Sequence, residues 1–236
     1  MLSEAVRALQ RNYSALLIYG AITVGFHVAR LLCDYLVVLP VEDSLDPRWL
    51  SAYRFSADVV AMITLAVAQA VAFARIGRDM DRPMWKIEHD GEAIRRFFQF
   101  WLVVDLAILA LIRVPELLPD DKMAIQLFVY FYIGASSIAV PFGGAVMFTG
   151  RAGAAEIRQA ANMLADRLPQ TAGLVAIGCV YNFVFFVMLI SEDFPPWATP
   201  LIPMIDAYLS CLFFALTWLI CIQHRDEDTH DTDFDF

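Results

Sequence analysis

The feature that most constrains the fold of this 236-residue chain is a set of six runs, each of about twenty mainly apolar residues. A helix of that length crosses the roughly 30 Å hydrocarbon core of a bilayer. Backbone groups in hydrocarbon must bond to one another, so a spanning segment is either a helix or a strand of a closed barrel. The runs are continuous rather than alternating, which excludes barrel strands. Spanning helices are therefore predicted at residues 13–39, 53–76, 98–118, 123–149, 172–190 and 200–222.

Basic residues are distributed unevenly among the segments between these runs. The net charge of −9 hides this asymmetry. Three inter-run loops are short and acidic, and clear of the membrane they hold only Arg48 and Lys122. The other segments hold Arg7, Arg11, Arg75, Arg78, Arg82, Lys86, Arg95, Arg96, Arg151, Arg158, Arg167 and Arg225. Because cytoplasmic loops carry the excess of Lys and Arg, both termini are predicted to be cytoplasmic.

A short phrase recurs before each run that would cross outward. "SEAVRAL", "GEAIRRF" and "AAEIRQA" place Arg7, Arg95 and Arg158 at equivalent positions. Each phrase predicts an amphipathic cytoplasmic helix whose arginine faces anionic lipid headgroups. The predicted fold is all-α, with one six-helix membrane domain at residues 1–224 and three pseudo-repeated hairpins at 1–77, 78–150 and 151–224. The alternative is six helices with interfacial flanks and no repeat.

The same three phrases carry a family resemblance. The rhythm of an "EAVRAL"-like helix before each outward span resembles the YciC family, the DUF975 family and the membrane domain of glycerophosphodiester phosphodiesterases. That resemblance covers most of the chain and implies a six-helix protein of the bacterial inner membrane, with no catalytic residues to carry over. The soluble phosphodiesterase domain is not present in these 236 residues.

Ionisable residues inside the predicted spans form the candidate site, because charged groups are costly in hydrocarbon. His27, Arg30 and Asp34 share one stripe of the first span, and Arg54 and Asp58 lie one turn apart on the second. Asp206 lies at a similar depth in the sixth span, and Asp105 lies in the inner half of the third. One interpretation is a polar pocket for an ion or headgroup. The other is two interhelical ion pairs, Arg30 with Asp58 and Arg54 with Asp34.

Two further patterns concern helix packing. Ala66, Ala70 and Ala74 follow one another at four-residue spacing, which predicts the close approach of a neighbouring helix. Pro141, followed by Gly143 and Gly144, predicts a kink or local unwinding in the fourth span. The four cysteines, at 33, 179, 211 and 221, lie in spans and are predicted to be packing residues.

The last twelve residues, 225–236, are strongly acidic and are predicted to be a disordered tail. No catalytic set, metal-ligand set or cofactor motif is found in the sequence. The short loops and the acidic tail favour a non-enzymatic accessory or scaffold subunit with membrane-protein partners. The alternative is a transporter of a small molecule, ion or lipid, and a membrane enzyme is a weaker alternative.

Overall fold

The computed structural model describes residues 1–38, 46–80, 87–113, 122–190 and 201–232. Over these ranges the chain is helical, with no strand. The helices are α1 (Leu2–Arg11), α2 (Tyr13–Cys33, continued by a π-helical segment at Asp34–Val38), α3 (Pro47–Asp79), α4 (Asp90–Arg113), α5 (Lys122–Phe148), α6 (Ala154–Asp166), α7 (Leu168–Ile190) and α8 (Leu201–Thr232). Most of the apolar part of α8 is buried, whereas few residues of α2 and α7 are buried.

Five helices of the described chain are long and apolar enough to cross a membrane, namely α2, α3, α5, α7 and α8. The remaining predicted span corresponds to α4, which has 24 residues. That is long enough, but Arg96, Asp105 and Arg113 distribute charge along it. The structure thus establishes an all-helical chain with five candidate spans.

The start of α3 and the end of α8 differ from the predicted limits for local reasons. α3 begins six residues before the predicted span, because the Asp46 side chain accepts a hydrogen bond from the Arg48 amide at 2.8 Å and Pro47 follows as a helix-starting residue. α8 continues to Thr232, so the predicted disordered tail is helical over its first eight residues. Extending an existing helix requires no new nucleation, which favours this continuation. Residues 233–236 lie outside the described part of the chain.

The predicted amphipathic helices appear before the first and fifth spans but not before the third. α1 buries Ala5, Ala8 and Leu9, and α6 buries Ala160, Met163 and Leu164. Both pack against α8. The "GEAIRRF" phrase instead forms the first turns of α4, without a break. The predicted layout of three amphipathic helices is therefore corrected to two, because nothing in residues 90–113 interrupts the helix as Asn12 and Arg167 do elsewhere.

Ion pairs join the helix termini at the end of the bundle that carries α1 and α6, called the basic end below. Arg11 of α1 donates to Asp79 of α3 at 2.9 Å. Arg75 donates from Nε to both oxygens of Asp90 at 3.2 and 3.1 Å, and Arg78 donates to the same carboxylate at 2.8 Å. These contacts hold the last turns of α3 against the first turn of α4, across residues 81–86.

The pKa of Asp90 is held below its usual range, chiefly by the hydrogen bond from Arg75. A carboxyl whose pKa is lower in the folded state stabilises the fold above its unfolded pKa of about 3.9 and loses that contribution as the pH falls. We therefore expect Asp90→Asn to lower the unfolding free energy at pH 6. The difference from wild type should shrink steadily as the pH is lowered from about 5 to about 2. Denaturant titrations across this range would measure it, and a pH-independent difference would contradict the assignment.

Aromatic side chains fill the half of the bundle nearest the basic end. The rings of Phe73 and Phe214 stack with centroids 4.6 Å apart, and Trp101 packs against Phe73 at 5.2 Å. Phe148 and Trp218 meet edge to face at 4.9 Å. These five side chains, called the aromatic seal below, are fully buried. They leave no room for solvent on this side.

α5 passes Pro141 without unwinding and remains helical to Phe148. The predicted local unwinding is therefore not found. Gly143 and Gly144 allow close packing instead. A Cβ at Gly143 would lie 2.1 Å from the Trp101 ring, and one at Gly144 would lie 3.3 Å from the Phe214 ring. The two glycines let α5 approach α4 and α8.

Candidate functional site

A cavity of ≈ 240 Å³ with both apolar and polar lining lies inside the bundle, and α2, α3, α4, α5, α7 and α8 all contribute to its walls. It is called the central cavity below. Its polar lining consists of Tyr19, Gln69, Asp105, Tyr132, Ser136, Tyr181, Asn182, Asp206 and Ser210. Polar groups at this depth are unusual in a bundle whose surface is apolar, because each one is costly to remove from water.

Asp105 is the most enclosed acidic group of the central cavity. On α4 the buried residues Phe97, Trp101, Asp105 and Leu109 follow at four-residue spacing, so the carboxyl occupies a core position. Asp105 is 4% exposed. Oδ1 accepts a long hydrogen bond of 3.4 Å from Nε2 of Gln69, while Oδ2 and the Gln69 Oε1 have no hydrogen-bond partner in the protein. The pair therefore presents two unmatched acceptors.

Asp206 lies on α8 in the wall between two cavities. It lines the central cavity and also a second space of ≈ 260 Å³, called the charged cleft below. Met62 and Leu65 of α3 line both spaces as well. The remaining polar lining of the charged cleft comes from Thr23, His27, Arg30, Asp58 and Thr64. The two spaces are thus neighbours, and Asp206 faces both.

The charged cleft ends at an ion-pair bridge that joins three helices. Asp58 of α3 accepts hydrogen bonds from Arg30 of α2 and from Arg113 of α4. Asp58 is 4% exposed, whereas both arginines keep about a third of their side-chain surface accessible. Asp34 lies 3.9 Å from Arg30, one turn along the same helix. The two guanidinium groups thus have carboxylates beside them.

The residues singled out in the sequence meet only in part. Arg30 and Asp58 are brought together as one interpretation anticipated, and Asp34 joins them through Arg30. Arg54 is exposed, and Asp34 pairs with Arg30 rather than with it. His27 lines the charged cleft, and its Nε2 is buried without a hydrogen-bond partner in the protein.

Sequence reasoning missed most of the central cavity. Asp105 was noticed but not grouped with Asp206, and Gln69 was not considered. The available signal was a polar residue within an apolar run, as Gln69 is in "LAVAQAVAF". The tyrosines at 19, 132 and 181 carried no comparable signal, because tyrosine is common in membrane helices and at their ends.

The central cavity is closed on the side of the basic end. Trp101 lies one turn before Asp105, Phe73 lies one turn after Gln69, and Phe214 lies two turns after Asp206. In each helix, the aromatic residue is therefore nearer to the basic end than the polar residue is. The aromatic seal therefore lies directly beyond the cavity, while the ion-pair bridge lies on its opposite side.

Comparison of the chain with family models, curated proteins and solved structures gives no match. The family resemblance therefore stays a prediction. The function must be argued from the site itself. Its chemistry combines hydroxyl and amide groups, which donate as well as accept hydrogen bonds, with carboxyl groups: the described lining of the central cavity holds two acids and no Lys, Arg or His. No group of three or more His, Cys, Asp or Glu in the described ranges is arranged to hold a metal ion.

Proposed function

We propose that this chain is a membrane transport protein that carries a small polar solute through its central cavity. The observation that carries the proposal is Asp105, which is almost fully buried, lines a cavity and has one unmatched oxygen. Ionisable groups in membrane helices are retained where they line solute or ion pathways.

The size of the cavity supports a small solute. A volume of ≈ 240 Å³ exceeds the roughly 30 Å³ that one water molecule takes in the liquid. It lies just below the range of about 300–1,000 Å³ typical of sites for drug-sized ligands. A solute of a few heavy atoms, with some of its hydration water, fits this space.

The asymmetry of the site supports alternating access. The aromatic seal closes one side of the central cavity, and the charged cleft adjoins its other side. Transporters expose a site near the middle of the membrane to one side at a time. The described arrangement corresponds to the state that is closed toward the basic end.

The proposed orientation places the basic end in the cytoplasm of a bacterial cell and the protein in its plasma membrane, with six spans that include α4. Arg7, Arg95 and Arg158 are exposed there, as contact with anionic headgroups requires. Both termini are then cytoplasmic. The charges of α4 are compatible with a span because Asp105 faces the cavity and Arg113 pairs with Asp58.

An accessory subunit is the second candidate function. It is favoured by α2, whose apolar side chains Leu17, Leu31 and Leu32 are exposed along its length. Within a membrane such a face packs against lipid or against another membrane protein. In this alternative the central cavity needs no access to water.

Cysteine accessibility separates the two candidates. In a variant lacking the four native cysteines, we expect Ser136→Cys, in the wall of the central cavity, to react with a membrane-impermeant thiol reagent. Ala145→Cys is the matched control, because it lies on the same helix and is fully buried. Only a hydrated thiolate reacts, so the labelling rate of Ala145→Cys should be at least about tenfold lower than that of Ser136→Cys.

The reagent is added to right-side-out and to inverted vesicles under opposite solute gradients. Transport predicts that the side from which Ser136→Cys is labelled changes with the gradient. Labelling that stays on one side, or a rate no higher than that of Ala145→Cys, contradicts transport and supports the accessory subunit.

A further inference from the structure

In the described lining of the central cavity, four polar atoms have no hydrogen-bond partner in the protein: the hydroxyls of Ser136 and Tyr181, which can donate or accept, and one oxygen each of Gln69 and of Asp105. The last two, with Asp105 in its ionised form, are the most deeply buried. Oδ2 of Asp105 and Oε1 of Gln69 can accept hydrogen bonds or bind a cation, but neither can donate. The amide nitrogen of Gln69, which could donate, is already directed at Oδ1 of Asp105. Both residues are at least nine-tenths buried, so bulk water does not compensate them. A ligand for this pair must supply positive charge or N–H or O–H donors.

The charge of the surroundings leads to the same conclusion. The described lining of the central cavity contributes the carboxyl groups of Asp105 and Asp206 and no basic side chain. The nearest arginine along the two connected spaces, Arg30, already donates to Asp58. An anion would be repelled by the carboxylates, and the repulsion is strong where the dielectric constant is low. A neutral solute would supply no counter-charge to Asp105 in its ionised form.

Resting on the proposed transport function, we infer that the transported solute is a small monovalent cation bound by the Asp105–Gln69 pair. The pair offers one negative charge and neutral oxygen acceptors, with the hydroxyls of Ser136 and Tyr181 in the same wall. Oxygen ligands suit hard cations and protonated amines alike. A divalent ion would be undercompensated by the single carboxylate of the pair. Asp206, which faces both spaces, attracts the cation from the charged cleft toward the pair.

The test uses the full chain in lipid nanodiscs, with the thermal unfolding midpoint and tryptophan fluorescence as readouts. Na⁺, K⁺ and methylammonium are titrated against N-methylglucamine at constant ionic strength. We expect a saturable upward shift of the midpoint with at least one of them, because a ligand that binds only the folded state stabilises it. Trp101 lies one turn from Asp105, so its fluorescence should follow the same titration.

The probes also distinguish two sources of the positive charge. If Na⁺ or K⁺ shifts the unfolding midpoint and methylammonium does not, the ligand is a bare metal ion. The reverse result indicates a ligand that donates N–H hydrogen bonds. Tetramethylammonium has the charge but no N–H donor and is bulkier, so we expect no saturable effect from it.

Variants connect the binding to the named residues. Asp105→Asn keeps the shape of the side chain and should weaken the apparent affinity about tenfold or more, as loss of a charged hydrogen-bond acceptor does. Gln69→Leu should weaken it to a smaller extent, and it replaces Asp105→Asn as the test if that variant does not fold. Asp34→Asn, a change outside the cavity, should bind as the wild type does.

The inference is overturned if none of the three cations shifts the midpoint saturably, or if both Asp105→Asn and Gln69→Leu respond as the wild type does. Its failure can be told apart from failure of the transport proposal. If the side from which Ser136→Cys is labelled changes but no cation has an effect, the transport proposal stands and the proposal of a cation as the solute is contradicted. If cations bind saturably but the labelled side never changes, the cation site stands and the transport proposal is contradicted.

Discussion

Replacement of Asp58 by asparagine is expected to lower the unfolding free energy by about 2–4 kcal/mol. This is within or slightly below the usual cost of breaking a buried ion pair, because the two arginines that donate to Asp58 are partly exposed. Asp58 is the one carboxylate within reach of Arg30 and Arg113 together in the described chain. Its loss removes the carboxylate that the guanidinium groups from α2 and α4 share at the edge of the charged cleft. Titration of the detergent-solubilised protein with sodium dodecyl sulfate would measure the change.

Asp34→Asn is the matched control, because the same chemical change is made beside the same arginine. Asp34 is more accessible and lies 3.9 Å from Arg30, so its loss should cost less than about 1 kcal/mol. Adding Arg30→Gln to Asp58→Asn should restore part of the loss, since one of the two positive charges that Asp58 balances is then removed. Equal effects of the two asparagine variants would show that the bridge does not hold α2, α3 and α4 together.

Gly143→Ala is expected to destabilise the bundle by about 1–3 kcal/mol, the usual cost of overpacking a filled core. The added methyl group would lie 2.1, 2.6 and 2.8 Å from three atoms of the Trp101 ring. The ring cannot move aside easily, because it packs on Phe73 and Phe100 and its Nε1 donates to Sδ of Met147 at 3.4 Å. Thermal unfolding in detergent, followed by size-exclusion chromatography, would report the loss.

Gly134→Ala provides the control on the same helix. A Cβ at Gly134 has nothing within 4 Å, so the higher helix propensity of alanine should leave stability unchanged or raise it by up to about 1 kcal/mol. Trp101→Phe in the Gly143→Ala background should recover part of the stability, because the smaller ring makes room for the methyl group. If Gly143→Ala is as stable as Gly134→Ala, the close approach of α5 to α4 is not a constraint on the fold.

Positions of the helices could be predicted because they depend on local sequence. Apolar runs marked all six long helices of the described chain, and the errors occurred where a local device extends a helix. At the start of α3 that device is the Asp46 cap with Pro47. At the start of α4 it is an uninterrupted helical sequence. The alanine stripe was also informative: Ala66, Ala70 and Ala74 are fully buried, as close helix packing requires.

Ion pairing was predictable in part, because the interhelical pair of Arg30 with Asp58 is found as one interpretation of the sequence has it. Arg30 and Asp34 are four residues apart and therefore adjacent in any helix. Across helix interfaces the sequence analysis pairs Asp58 with Arg30 alone, and nothing in the sequence indicates that Arg113 of α4 also contacts Asp58. α3 has α2 on one side and α4 on another, and the rotation of each helix about its axis decides which arginine reaches the carboxylate.

By itself, the sequence determined that the chain is helical, where its apolar segments lie and which polar residues lie within them. These properties follow from segment length, composition and the need to pair every backbone group in hydrocarbon. Only the tertiary structure decided that Asp105, Gln69 and Asp206 face one cavity and that Trp101 and Phe73 close it. Helix rotation and tilt arise from many weak van der Waals contacts between residues far apart in the chain, and no local pattern encodes their sum.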